Sequence, residues 1–112
     1  MVEKNAREGT QKNTILDTSL LIEGKRGVTT VFSIVEFPIA IEECIILYPE
    51  ILDFELAIHI ALELRKIGKP IGAVDTLIAS ISINRGYTLL TKDGDFSHIK
   101  EVLPHFACTI VI

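Results

Sequence analysis

The sequence predicts an α/β domain of three layers, with helices on both faces of a mostly parallel sheet. Strand-like and helix-like segments alternate along the chain, the order that builds a parallel sheet through helical crossovers. The strand segments "TIL", "YTLLT" and "CTIVI" are apolar nearly throughout, as expected of strands covered on both faces rather than on one. Hydrophobic residues make up 48% of 112 residues, and the mean hydropathy is +0.41. That is rich for a chain long enough for one domain with a modest core. It implies strands buried on both faces or an apolar surface covered by a partner.

Each element has a local reason. Residues 1–13 form a polar tail without the hydrophobic segment of a signal peptide, and are expected to fray. The single domain is expected over residues 14–112. Thr14–Leu16 reads as a short buried strand followed by a helical turn. "EGKRG", Glu23 to Gly27, is a loop. "VTT" opens a second strand or turn, leading into an apolar helix from about Val31 to Cys44 that Pro38 should kink. "IILY" is a short extended piece closed by Pro49. "DFELAIHIALELRKIG" is the clearest helix: Asp53 is a candidate N-cap, Leu56, Ile60, Leu64 and Ile67 share a face, and Gly68 suits the position after the end. After the turn "KPIG" comes a second helix, "AVDTLIASISINRG", closed by Gly86. "YTLLT" is a strand, "DFSHIKEVL" a short helix and "CTIVI" a last strand.

Composition narrows the function. No apolar run approaches the roughly 20 residues that span a bilayer. Cys44 and Cys108 sit among apolar residues and read as free thiols, in keeping with a reducing, cytoplasmic compartment. The net charge is −4. Proteins that hold nucleic acid by charge alone are usually basic. Either nucleic acid is not a partner, or clustered acids bind cations that reverse the local field.

Four acids interrupt apolar patterns. Asp17 follows "TIL", and Asp93 comes just after "YTLLT". Asp75 falls in the first turn of the second clear helix, and Glu36 lies within "VFSIVEFPIAI". In an α/β sheet, sites form beyond the carboxyl ends of strands, where Asp17 and Asp93 fall. Each acid also has an ordinary explanation. Asp75 suits a helix N-terminus. Glu36 follows Ser33 with capping-box spacing, although Thr30 fits equally as the cap. Asp17 suits an Asx-turn, and Asp93 an Asp-Gly turn. If the four converge, like charges ~4 Å apart repel by roughly 4 kcal/mol at an effective dielectric of 20. A hard cation relieves that, and oxygen donors without companion Cys or His suit Mg²⁺ or Mn²⁺. Such a centre can activate water against a phosphodiester.

At these residues the sequence resembles the PIN-domain ribonucleases, especially the VapC-type toxins of toxin–antitoxin pairs. The matching pieces are "ILDTSLLI", "VTTVFSIVEF", "GKPIGAVDTLIASIS" and "YTLLTKDGDF". The resemblance runs from about Thr14 to the C-terminus. It implies a three-layer α/β/α PIN-like fold and an acidic cluster of Asp17, Glu36, Asp75 and Asp93 binding Mg²⁺ or Mn²⁺. Asp95 is an alternative ligand to Asp93, and Ser19 and Thr91 are supporting hydroxyls. It further implies endonucleolytic cleavage of RNA, a homodimer and a VapB-type antitoxin partner. The stretch between Asp17 and Glu36 is shorter than in many relatives, so a catalytically weak or inactive RNA- or protein-binding module is the alternative.

The other polar residues offer less. His59 stands between Glu55 and Glu63 at helical spacing and reads as a solvated stripe. His98 belongs to a short helix, and no serine or cysteine triad surrounds it. Lys25, Arg26 and Lys92 are candidate phosphate contacts, of the kind that add affinity without sequence specificity. An aspartyl-phosphate enzyme of the dehalogenase type is disfavoured, because Ser19 stands where a second aspartate is wanted. The Val31–Cys44 segment and the Leu56–Ile67 face are candidate dimer surfaces.

Overall fold

A computed structural model of the chain describes residues 13–112. The expected fraying tail, residues 1–13, lies outside the described residues except for Asn13, whose carbonyl accepts from Thr88 N at 2.7 Å. The elements run β1 (Thr14–Leu16), α1 (Thr18–Ile22), β2 (Val28–Thr30), α2 (Val31–Glu36), a 3-10 turn (Pro38–Glu43), β3 (Ile45–Leu47), α3 (Ile51–Lys66), α4 (Ala73–Arg85), β4 (Thr88–Thr91), a second 3-10 turn (Gly94–His98), α5 (Ile99–Val102) and β5 (Cys108–Ile110). All neighbouring strands pair in parallel, in the order β3-β2-β1-β4-β5. The expected three-layer PIN-like architecture is the one observed.

The sheet order has a mechanical cause. Strands β1 to β3 step outward in one direction. The chain then returns along α3 and α4 and inserts β4 on the other side of β1, with Leu16 opposite Leu90. The winding reverses between β1 and β4, and in α/β sheets such a switch point is where a ligand crevice forms, beyond the carboxyl ends of the strands.

Side-chain alternation explains why the strands are apolar throughout. Ile15 and Leu89 enter one core with Ile60 and Leu64 of α3 and Ile78 and Ile81 of α4. Leu16 enters the other, with Leu20 and Leu21 of α1 and Ile34 of α2; Leu90 packs against it. Successive residues point to opposite faces of a strand, so both faces here carry a helical layer. Full burial of one Leu or Ile is worth about 1.5–3 kcal/mol.

Two local expectations need correction, and one left open between two residues is decided. The Val31–Cys44 segment is not one kinked helix. It ends at Glu36, Phe37 leaves helical space (φ −142°, ψ 72°), and a 3-10 turn begins at Pro38. A residue preceding proline is disfavoured in the α region, so the break falls there. Thr30, not Ser33, caps α2: its hydroxyl accepts from Ser33 N at 3.3 Å. Asp53 is not the cap of α3. Glu50 is, and Asp53 sits in the first turn, 1% exposed, with its Oδ2 accepting from Glu50 N at 2.7 Å. Asp53 also accepts from Asn84 Nδ2 (2.8 Å) and Arg85 Nη1 (3.0 Å), while Arg85 Nη2 donates to Tyr48 O. Burial raises the Asp53 pKa, but these hydrogen bonds and the Arg85 charge outweigh it and leave it lowered. This carboxylate ties the start of α3 to the end of α4.

The Leu56–Ile67 face goes to the core, since Ile60 and Leu64 are fully buried. The opposite side of α3 is exposed and apolar instead, with Ile51, Phe54, Ile58 and Leu62 at helical spacing. Phe54 and Ile58 line a cavity of about 330 Å³ with Ile71 and Leu77. Cys44 and Cys108 are free and half-buried. Gly86 closes α4 in the left-handed region, φ 71°, which a side chain strains. Among the described residues, no helix is long and apolar enough to cross a membrane.

Candidate active site

Asp17 and Asp93 lie just past the carboxyl ends of the neighbouring strands β1 and β4. Asp17 is the first residue after β1 and is 5% exposed. A buried carboxylate needs donors. Thr91 Oγ1, at the end of β4, donates to Asp17 Oδ2 at 2.7 Å, and Ser19 Oγ donates to the same oxygen at 3.1 Å. Each hydroxyl also accepts a backbone N–H from just beyond β4: Lys92 N reaches Ser19 Oγ at 3.0 Å, and Asp93 N reaches Thr91 Oγ1 at 2.9 Å. Both donors converge on Oδ2, and Oδ1 takes none of these bonds. No Asx-turn forms at Asp17, whose side chain caps nothing.

Asp93 does cap the 3-10 turn, accepting from Asp95 N at 2.9 Å. The Asp-Gly turn reading therefore holds alongside the site reading. Asp75 is half-buried in the first turn of α4. Its pKa is raised from 3.8 to about 6, first by burial, then by the charges of Asp17, Asp93, Glu36 and Asp95, in that order. These carboxylates thus share one electrostatic environment centred on Asp75. Asp93 acts on Asp75 more strongly than the exposed Asp95 does. Glu36, the last residue of α2, is exposed but anchored: Thr18 Oγ1 donates to its Oε1 at 2.6 Å.

A divalent cation fits this donor set by chemistry, since the groups are hard oxygens and mutual repulsion already burdens one of them. Among the described residues, no group of three or more His, Cys, Asp or Glu is drawn together as a ready-made ligand set. Mg²⁺ does not demand one, because it is commonly held by one or two carboxylates, waters and substrate phosphate.

The basic candidates are mostly occupied. Arg26 pairs with Glu43 at 2.8 Å, donates to Leu21 O, and lies over the Phe37 ring. Lys92 pairs with Glu23 at the rim. Lys25 is exposed in the loop after α1. His59 is exposed on α3, and His98 lies in the second 3-10 turn, its Nδ1 buried without a partner. Sequence reading passed over Thr18. The available signal was three consecutive polar residues, Asp17–Ser19, between the apolar runs "TIL" and "LLI".

No family model matches the chain, and no curated protein matches it. Solved structures do. The structure of VapBC-1 from nontypeable Haemophilus influenzae aligns with a TM-score of 0.67 at 20% identity, covering 86% of this chain and 96% of that one. VapBC2 from Rickettsia felis, bound to a DNA fragment from their promoter, aligns with a TM-score of 0.66 at 19% identity, with the same coverages, 86% and 96%. Identity this low speaks to the fold. The chain has the PIN-like three-layer fold of the matched chains in these VapBC complexes.

Proposed function

We propose that this chain is a VapC-type endoribonuclease that depends on Mg²⁺ or Mn²⁺. The reading is supported by the Thr91 and Ser19 hydrogen bonds that fix Asp17 at the end of β1, and by the charges of Asp17, Asp93, Glu36 and Asp95 that act on Asp75, near the point where the winding of the sheet reverses. Asp17, Glu36, Asp75 and Asp93 would hold the cation, with Asp95 at the edge. A bound divalent cation supplies a lowered water pKa and charge for the scissile phosphate. Ser19 and Thr91 fix Asp17 Oδ2 and leave Oδ1 for the cation. Lys25 lies beside Thr14, Gly27 and Val28 at the amino-terminal edge of the sheet, so any phosphate contact it makes is remote from the acids. The cation also accounts for an acidic chain accepting a polyanion.

The test is cleavage of a single-stranded RNA by the purified protein with Mg²⁺ or Mn²⁺. Asp75→Asn should lose cutting while keeping its circular dichroism spectrum. A variant that cuts as fast as the parent refutes the assignment.

The partners follow from the same reading. The neighbours in fold are VapBC complexes, which supports a VapB-type antitoxin as partner and the cytoplasm as the place of action. The exposed α3 stripe of Ile51, Phe54, Ile58 and Leu62 supports a homodimer through that face. A second reading, a PIN-like RNA- or protein-binding module with little or no catalysis, is favoured by the lack of a preassembled three-ligand group among the described residues. Calorimetry separates the two: the module binds no Mn²⁺, and its RNA binding survives Asp75→Asn.

A further inference from the structure

Thr18 stands between two groups, its Oγ1 being 2.9 Å from Ser33 Oγ and 2.6 Å from Glu36 Oε1. A hydroxyl has one proton, and an ionised carboxylate can only accept. The Thr18 proton therefore goes to Glu36, and Ser33 must donate its own proton to Thr18. The direction of the whole chain is set: Ser33 O–H to Thr18, Thr18 O–H to Glu36. Ser33 is fully buried in the first turn of α2, where its backbone N–H is bound to the Thr30 hydroxyl. Thr18 is the first residue of α1. The relay thus starts from a rigid, buried point and ends on an exposed carboxylate whose side chain has several rotatable bonds.

We infer that Thr18 is a positioning residue that holds the Glu36 carboxylate toward the crevice, with Ser33 fixing the direction of its hydrogen bond. The inference rests on the four-carboxylate reading above. It gives consecutive residues separate tasks: Asp17 faces the crevice, Ser19 fixes Asp17, and Thr18 fixes Glu36 from the other side. Partners that orient a metal-binding side chain typically change metal affinity by about 10–100-fold when removed.

The experiment is Mn²⁺ binding to the purified protein by isothermal titration calorimetry at neutral pH, with folding checked by thermal unfolding. Thr18→Val, which keeps the shape and removes the hydroxyl, should weaken Mn²⁺ by about 10-fold. Thr18→Ser should bind within about 2-fold of the parent, and Ser33→Ala, which cuts the relay at its buried end, should weaken binding by less than Thr18→Val. In a Glu36→Gln background, Thr18→Val should cost little more, because its target is gone. Unchanged binding in Thr18→Val, or a loss that persists at full size beside Glu36→Gln, overturns the inference. Should Thr18→Val not fold, Ser33→Ala decides by the same two criteria. The parent reading fails separately, and takes the inference with it, if the wild-type chain binds no Mn²⁺ or if Asp75→Asn binds it equally well.

Discussion

Asp75→Asn should make the metal-free protein more stable while disabling it. In the folded chain Asp75 keeps its proton up to about pH 6, against 3.8 ordinarily. Between those values the folded state binds more protons than the unfolded one, so stability falls as pH rises; the penalty is complete above about 6 and absent below 3.8. At about 1.4 kcal/mol per pH unit, the full displacement corresponds to roughly 3 kcal/mol. The residue is half-exposed, and solvent screening reduces this to roughly 1.5 kcal/mol. Asparagine forfeits the favourable placement of a negative charge in the first turn of α4, worth roughly 0.5 kcal/mol. The net gain at neutral pH is about 1 kcal/mol, or about 4–8 °C in Tm for a domain near this size. The assay is thermal unfolding by circular dichroism in a chelating buffer, from about pH 4 to about pH 7. Wild type and variant should coincide at the acid end and diverge toward neutrality. A variant no more stable than wild type at neutral pH, or a difference in Tm that does not widen from the acid end to neutrality, refutes the account of repelling carboxylates.

Other substitutions test the frame around the site. Asp53→Ala strips Asn84, Arg85 and Glu50 N of their shared acceptor and should cost about 3 kcal/mol, read as a lower urea midpoint. The pKa of Asp53 is lowered in the fold, so its contribution is present above its ordinary value of 3.8 and is lost as pH falls through the folded value. Acid unfolding of Asp53→Ala should accordingly be less steep than that of wild type. Gly86→Ala, forced to φ 71°, should cost about 1–2 kcal/mol in the same assay. Ile58→Asp, on the exposed stripe of α3, should yield a monomer by light scattering with a melting temperature close to that of wild type; an unchanged dimer places the interface elsewhere.

Much of this frame is legible in the sequence because burial writes a simple pattern. Ile15-Leu16 and Leu89-Leu90 are consecutive apolar pairs feeding opposite cores, which only a doubly covered strand requires. Gly68 and Gly86 mark the helix ends where positive φ is needed. The acids stood out because each interrupts such a run. The start of α3 was less legible. Asp53 resembles a cap, and its actual task is set by Asn84 and Arg85, 31 and 32 residues away. Pro38 marked a disturbance, but whether the chain kinks or stops there depends on whether tertiary packing holds the preceding residue helical. The partnership of Thr18 with Glu36 depends on how α1 meets α2, which no periodicity encodes.

The hydrogen bond between Thr91 and Asp17 joins residues 74 positions apart. It closes only when β4 has docked against β1, after most of the chain has been synthesised and the return through α3 and α4 is complete. Pairing at such long range is slow to form, since the loop must close before any contact rewards it. A nascent chain on the ribosome therefore carries half a crevice, with Asp17 and Glu36 present but Asp75 and Asp93 not yet delivered. On the proposed function, the growing chain cannot cleave RNA before that pairing, so the order of synthesis separates the making of the protein from the onset of its chemistry.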